Sequence, residues 1–178
     1  MRIIIDRQVL TIRSLVPIAI FLLSLFSACS QSNSLTARPL AVAASVAFTE
    51  GPTVAEDGTV YFTDLDNSRI MRLSTDGSLS TFRQPSYRAN GLLFDSEWRL
   101  LACEGGDGSA TLPRVTRTNM TTGAIEVIAD SYNGKQLHQP NDLTFDSKGR
   151  IYFTDRPGVH IKPEQTGVHA VYRIDTDG

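Results

Sequence analysis

The chain has 178 residues, with seventeen Lys and Arg against nineteen Asp and Glu and a net charge of −2. No stretch is strongly basic, which argues against nucleic acid and anionic membrane surfaces as partners. A hydrophobic content of 41% and a charged content of 20% are those of an ordinary globular protein with enough length for a sizeable core.

Residues 1–28 carry the parts of a secretory signal peptide. Arg2, Arg7 and Arg13 precede an apolar run from Leu15 to Phe26, broken only by Pro17 and Ser24, and the small residues Ser27 and Ala28 follow. The run is shorter than the ~20 apolar residues that span a bilayer. Leu25-Phe26-Ser27-Ala28-Cys29 resembles a bacterial lipobox, in which Cys29 is acylated and becomes the mature N-terminus. Plain cleavage at the same small residues is the other reading. Residues 29–45 then form a tether, polar from Ser30 to Ser34, which favours the lipid anchor. The expectation is an exported protein, periplasmic or membrane-anchored through Cys29, with a mature net charge of −4 after three arginines and one aspartate are removed. Cys103 is the one other cysteine, so no disulfide framework is available and packing must hold the fold.

From residue 46 the chain repeats. Glu50–Asp64, Asn90–Glu104 and Asn141–Asp155 align without gaps over fifteen positions, each opening on a polar side chain and closing on a carboxylate. After an insert, Arg69–Leu73, Arg114–Thr118 and Ala170–Ile174 align in turn, and glycines follow at Gly77, Gly123 and Gly178. Within a unit, an apolar run, a tight turn such as Asp57-Gly58 or Lys148-Gly149, and a run of β-branched and aromatic residues predict a hairpin. Arg69–Leu73 predicts a third strand and Leu79–Phe82 a fourth, matched in the next unit by Ile125–Ile128. Trp98 stands where the other two units have a turn glycine. A bulky residue adopts positive φ only at a cost, so that hairpin is expected to use a different turn. Four short strands per unit, with unit starts 40 and 51 residues apart, predict an all-β fold built of propeller blades. Propellers close with ~4–8 blades, so about three blades, starting near 50, 90 and 141, read as a partial propeller.

Glu50, Asn90 and Asn141 hold the same place in successive units, and in a propeller such positions ring the central axis. One carboxylate with two amide oxygens suits a hard divalent cation rather than a thiolate or imidazole site. The same residues could instead cap strand starts by bonding backbone groups. His138, His160 and His169 are isolated and read as surface or loop residues, with His138 near enough to Asn141 to touch a substrate. Asp64-Leu65-Asp66-Asn67 and Asp175-Thr176-Asp177-Gly178 lack most of a calcium-loop pattern and read as turns.

Several motifs in order carry a family resemblance over residues 46–178. Phe48-Thr49-Glu50-Gly51-Pro52, Ala89-Asn90-Gly91-Leu92 with Leu101-Ala102-Cys103-Glu104, Pro140-Asn141-Asp142-Leu143, and Gly167-Val168-His169-Ala170-Val171-Tyr172-Arg173 resemble the SMP-30/gluconolactonase/LRE family, in its bacterial gluconolactonase-like branch. The resemblance implies a six-bladed β-propeller hydrolysing sugar lactones with one divalent cation in its tunnel, Ca2+ first, with Mg2+, Mn2+ or Zn2+ as alternatives. By the same resemblance Glu50 and Asn141 are metal ligands, Asn141 also contacts substrate, and Asn90 lines the tunnel in support. Gln139 falls where one branch has a substrate-binding arginine. Arg156 departs from the usual Asp-Pro pair. The remaining ligands and the catalytic base belong to later blades and have no counterpart before Gly178, so this chain alone is expected to be inactive. Two other readings stay open: a propeller that binds without catalysis, and a metal-dependent hydrolase of other esters or organophosphates.

Overall fold

The computed structural model describes residues 39–108, 110–157 and 162–176. The chain divides into two units at Ala41/Val42, and all the strands among the described residues belong to the second. The signal peptide, Cys29 and His160 lie outside the described residues.

The first sheet runs β1 (Thr49–Val54), β2 (Val60–Asp64), β3 (Arg69–Leu73) and β4 (Leu79–Arg83) in spatial order, all antiparallel. The second repeats it with β5 (Ala89–Phe94), β6 (Leu100–Glu104), β7 (Arg114–Thr118) and β8 (Ile125–Ala129). A small hairpin, β9 (Ser131–Tyr132) and β10 (Lys135–Gln136), precedes a three-stranded sheet of β11 (Pro140–Phe145), β12 (Ile151–Asp155) and β13 (Ala170–Ile174). These are two four-stranded blades and three strands of a third in an all-β partial propeller, with no helix among the described residues. The β9–β10 hairpin was not expected, although its turn, Asn133-Gly134 with φ of 51° and 75°, has the residue pair that hairpins favour.

Blades pack face to face because successive side chains of a strand point to opposite faces. Along β6, Leu100 and Ala102 join Tyr61, Ile70, Ala89 and Leu92 in the core between the first two blades. Leu101 and Cys103 join Val115, Leu143, Ile151 and Phe153 in the core between the second and third. Every residue of β6 is therefore buried, whereas the outer strands β4 and β8 are largely exposed. Tyr61 meets Phe82 and Phe94 edge to face at 5.1 and 5.5 Å, which joins the first blade to the second. Val171 on β13 is 67% exposed, on the open face of the third blade.

The hairpin at Trp98 corrects the expectation drawn from its bulk. Trp98 takes φ of 57° and donates its amide to the Asp95 carbonyl at 3.0 Å, the same closure made by Gly58 to Ala55 and Gly149 to Asp146. The cost of a left-handed tryptophan is offset locally. Asp95 accepts from the amides of Glu97 and Arg99 at 2.9 Å each and from the Arg99 guanidinium at 2.7 Å, and the indole lies 6.0 Å from the Phe94 ring.

Candidate functional site

The three inner strands β1, β5 and β11 lie side by side, and each carries a one-residue bulge at an overlapping repeat position. The register shifts between Glu50 and Thr53, between Ala89 and Leu92, and between Pro140 and Leu143. A bulge re-aims side chains at a strand end, and here it falls on or beside Glu50, Asn90 and Asn141. Glycines set how closely the strands approach. A Cβ on Gly51, itself at φ of 42°, would lie 2.2 Å from the Asn90 carbonyl oxygen, and one on Gly91 would lie 2.7 Å from that of Asn141. The Thr63 hydroxyl adds a bond from the first blade to the Asn90 carbonyl at 3.0 Å.

The carboxylates that close each repeat, Asp64, Glu104 and Asp155, are all buried, and Asp64 and Asp155 hold the backbone just ahead of β1 and β11. Asp64 accepts from the Phe48 amide at 3.2 Å and from Asn67 and Arg69 at 2.9 Å each. Burial pushes its pKa up, but the bonds from Asn67, Arg69 and Phe48 outweigh burial, and the net shift is downward. Asp155 makes the equivalent bond to the Gln139 amide at 2.7 Å and a further one to the His138 amide at 2.9 Å. Glu104 instead gathers side chains: Arg83 at 2.6 Å, Arg114 at 2.8 Å and the Thr116 hydroxyl at 2.8 Å. Arg83 comes from β4, so this ion pair joins the first blade to the second.

A pocket of about 30 Å3 is lined by Arg88, Asn90, Gln139, Asn141 and Arg156, with Leu65, Gly105 and Pro140 completing it. Its geometry follows from the repeat. Arg88 and Gln139 are equivalent, as are Asn90 and Asn141, and as are Leu65, Gly105 and Arg156, which each follow a buried carboxylate. The structure thus brings Asn90, Gln139 and Asn141 together. Glu50 is not among the lining residues; it sits half-buried at the matching position of β1. No hydrogen bond or ion pair to the described residues engages the side chains of Glu50, Asn90 or Asn141. Oxygen donors left free at the ends of inner strands fit a hard cation in kind. No group of three or more His, Cys, Asp or Glu among the described residues forms a metal cluster.

His138 differs from its expected place at the surface. It is 3% exposed, and its Nε2 accepts from the Gly167 amide at 3.1 Å. Burial follows because residues 164–167 fold back over it, with Gln136 bonding to Glu164 and Thr166 through the backbone. His138 therefore pins this loop to the root of β11. His169 is exposed. Two pocket residues stand apart from the expected substrate contacts, Arg88 and Arg156. Arg88 offered one sequence signal, its equivalence to Gln139.

Inner strands lined up with polar residues at their ends, in two four-stranded sheets and a three-stranded one, define a partial β-propeller. The sequence profile of the SMP-30/Gluconolactonase/LRE-like region matches residues 48–178, and the chain belongs to that family. It is 24% identical over 156 residues to a gluconolactonase of Zymomonas mobilis, covering 77% of this chain and 42% of the relative. A Xanthomonas campestris gluconolactonase structure superposes with a TM-score of 0.63 at 32% identity, covering 73% of this chain and 44% of its own. A second solved structure, of a gluconolactonase candidate, gives 0.64 at 31% identity, covering 72% and 46%. The chain spans less than half the length of each of these relatives.

Proposed function

We propose that the chain contributes the first blades of an exported, metal-dependent hydrolase of sugar lactones. The observation that carries this reading is the meeting of Asn90, Gln139 and Asn141 in one pocket at the inner strand ends of a chain from the gluconolactonase family. Glu50 and Asn141 would hold one divalent cation, Ca2+ first, which when bound supplies electrophilic polarisation of the lactone carbonyl. The Asn90 and Gln139 amides donate to and accept from sugar hydroxyls and fix the ring's orientation. The close strand approach at Gly51 and Gly91 keeps these groups in register. Glu50 is not assigned as the base that takes a proton from water, because a cation-bound glutamate is a poor base. Export rests on residues 1–28 and lipid attachment on Cys29.

The test uses the full-length protein, stripped with a chelator and assayed on D-glucono-1,5-lactone with Ca2+, Mg2+, Mn2+ or Zn2+ restored. Hydrolysis should vanish on stripping and return with the cation. Glu50→Gln should lower cation affinity and activity together, and Asn141→Ala should lower turnover without moving the unfolding midpoint. Lactone binding without turnover would shift the assignment to a binding propeller. Turnover of aryl esters or organophosphates alone would shift it to another hydrolase. Mass spectrometry of membrane-associated protein should find an acylated Cys29 at the N-terminus.

A further inference from the structure

Ten arginines fall among the described residues, and seven of them form ion pairs with carboxylates. Of the three that do not, Arg72, Arg88 and Arg156, two line the same small pocket. They come from different blades and lie 68 residues apart in sequence. Among the described residues, the pocket lining contains no carboxylate. Glu104 and Asp155, which precede the lining residues Gly105 and Arg156, are buried and already engaged by their own donors.

Arg88 is also held in an unusual backbone state. Tyr87 and Arg88 are consecutive left-handed residues, at φ of 53° and 57°. The Arg88 amide donates to the Ser68 hydroxyl at 3.1 Å, and its carbonyl accepts from Gly105 at 3.3 Å. The Arg114 guanidinium lies 5.1 Å from the centre of the Tyr87 ring and helps steady the segment. Arg156 is placed by its own amide, which donates to the Gln139 carbonyl at 3.4 Å, immediately after the buried Asp155. A volume of about 30 Å3 admits one small group rather than a whole sugar ring. Both arginines are exposed and carry no ion pair among the described residues, and guanidinium is the side chain best matched to carboxylate and phosphate oxygens.

We propose that Arg88 and Arg156 determine specificity, selecting sugar lactones that carry an anionic group, carboxylate or phosphate, away from the lactone carbonyl. This rests on the lactonase reading and narrows its substrate class. Asn90, Gln139 and Asn141 then handle the neutral hydroxyls, and the arginine pair holds the charged end of the sugar.

The full-length protein decides this by comparing kcat/KM for neutral D-glucono-1,5-lactone, its 6-phosphate, and D-glucaro-1,4-lactone, whose carboxylate is free. At least one anionic lactone should be preferred by about tenfold or more, with the preference shrinking as salt rises. Which one wins separates phosphate from carboxylate. Arg156→Ala, and Arg88→Asn chosen because asparagine tolerates the left-handed backbone, should each reduce the anionic-to-neutral ratio by about tenfold, mainly through KM. Arg156→Lys should recover part of it. Arg72→Ala removes the same charge outside the pocket and should leave the ratio as it was. Equal use of all three lactones, or ratios unmoved in both pocket variants, would overturn the inference while leaving the lactonase assignment intact. If no lactone is hydrolysed, that assignment fails separately, and calorimetry with glucarate and 6-phosphogluconate decides the inference. Binding that is lost in Arg88→Asn and Arg156→Ala supports it, and no binding, or equal binding in the variants, refutes it.

Discussion

Substituting alanine at Gly91 should damage both stability and site, and the reason is a contact that no side-chain rotation can relieve. The new Cβ would stand 2.7 Å from the Asn141 carbonyl oxygen, 2.7 Å from the Asp142 Cα and 2.8 Å from the Asp142 carboxylate. Real Cβ atoms essentially never approach below 3.0 Å, so β5 and β11 must separate by some tenths of an ångström. Overpacking of this kind costs about 1–3 kcal/mol, toward the upper end when the obstacle is backbone. Gly91 has no positive φ, so the penalty is steric rather than conformational. Gly105→Ala is the matched control. Its Cβ would meet the Arg88 carbonyl oxygen at 3.5 Å, an ordinary contact, and its φ is also not positive. Restricting the unfolded chain there should stabilise by about 0.4–1 kcal/mol at best and cost nothing appreciable at worst. Urea unfolding of both variants in the full-length protein, with m-values compared, makes the measurement. Gly91→Ala should shift the midpoint down by an amount worth about 1–3 kcal/mol and weaken ligand binding at the pocket beside it. A Gly91→Ala midpoint equal to that of the parent, or a loss at Gly105→Ala of the same size, would refute the claim that glycine spacing holds the inner strands in register.

Three further outcomes follow from the buried groups and the turns. Glu104→Gln leaves Arg83 and Arg114 facing an uncharged partner in a buried site, and should cost about 3–5 kcal/mol by denaturant unfolding; a loss below 1 kcal/mol would mean the inter-blade ion pair contributes little. Asp146 is held at about 2 against 3.8, first by its bond from Arg150 and then by the amides of Lys148 and Arg150. The folded pKa is the lower one, so its stabilising contribution is complete above the unfolded value and is lost as pH falls through about 2. Asp146→Asn should flatten the stability curve in that acid window, and an unchanged acid limb would contradict the assignment. Burial, then the negative charges of Asp142, Asp155 and Glu104, push the Cys103 thiol well above its ordinary pKa. It should resist a thiol reagent at pH 8 in the native protein and react promptly in urea.

The strands and the repeat were legible because their signals are local. Alternating apolar residues and Asp-Gly or Lys-Gly turns mark a hairpin wherever they occur, and three gapless copies make Glu50, Asn90 and Asn141 equivalent before any coordinate is known. Equivalence in a repeat is a statement about position, and a propeller turns it into a row at the inner strand ends. The closing carboxylates could be aligned in the same way, but their burial could not be read. Asp64, Glu104 and Asp155 satisfy themselves with amides and arginines from segments whose approach depends on the packed blades, and Arg83 reaches Glu104 from the neighbouring blade. Trp98 shows the limit of propensity, since Asp95 and Phe94 supply enough local support to hold a bulky residue in a left-handed turn. His138 was isolated along the chain and is enclosed in the fold, because a loop ending near Gly167 returns to accept its place over β11. Arg88 and Arg156 are the plainest case. In the sequence Arg156 stands only as a departure from an Asp-Pro pair and Arg88 only as the repeat equivalent of Gln139, and it is the packing of the second blade against the third, glycine against backbone, that brings both to the lining of one small pocket.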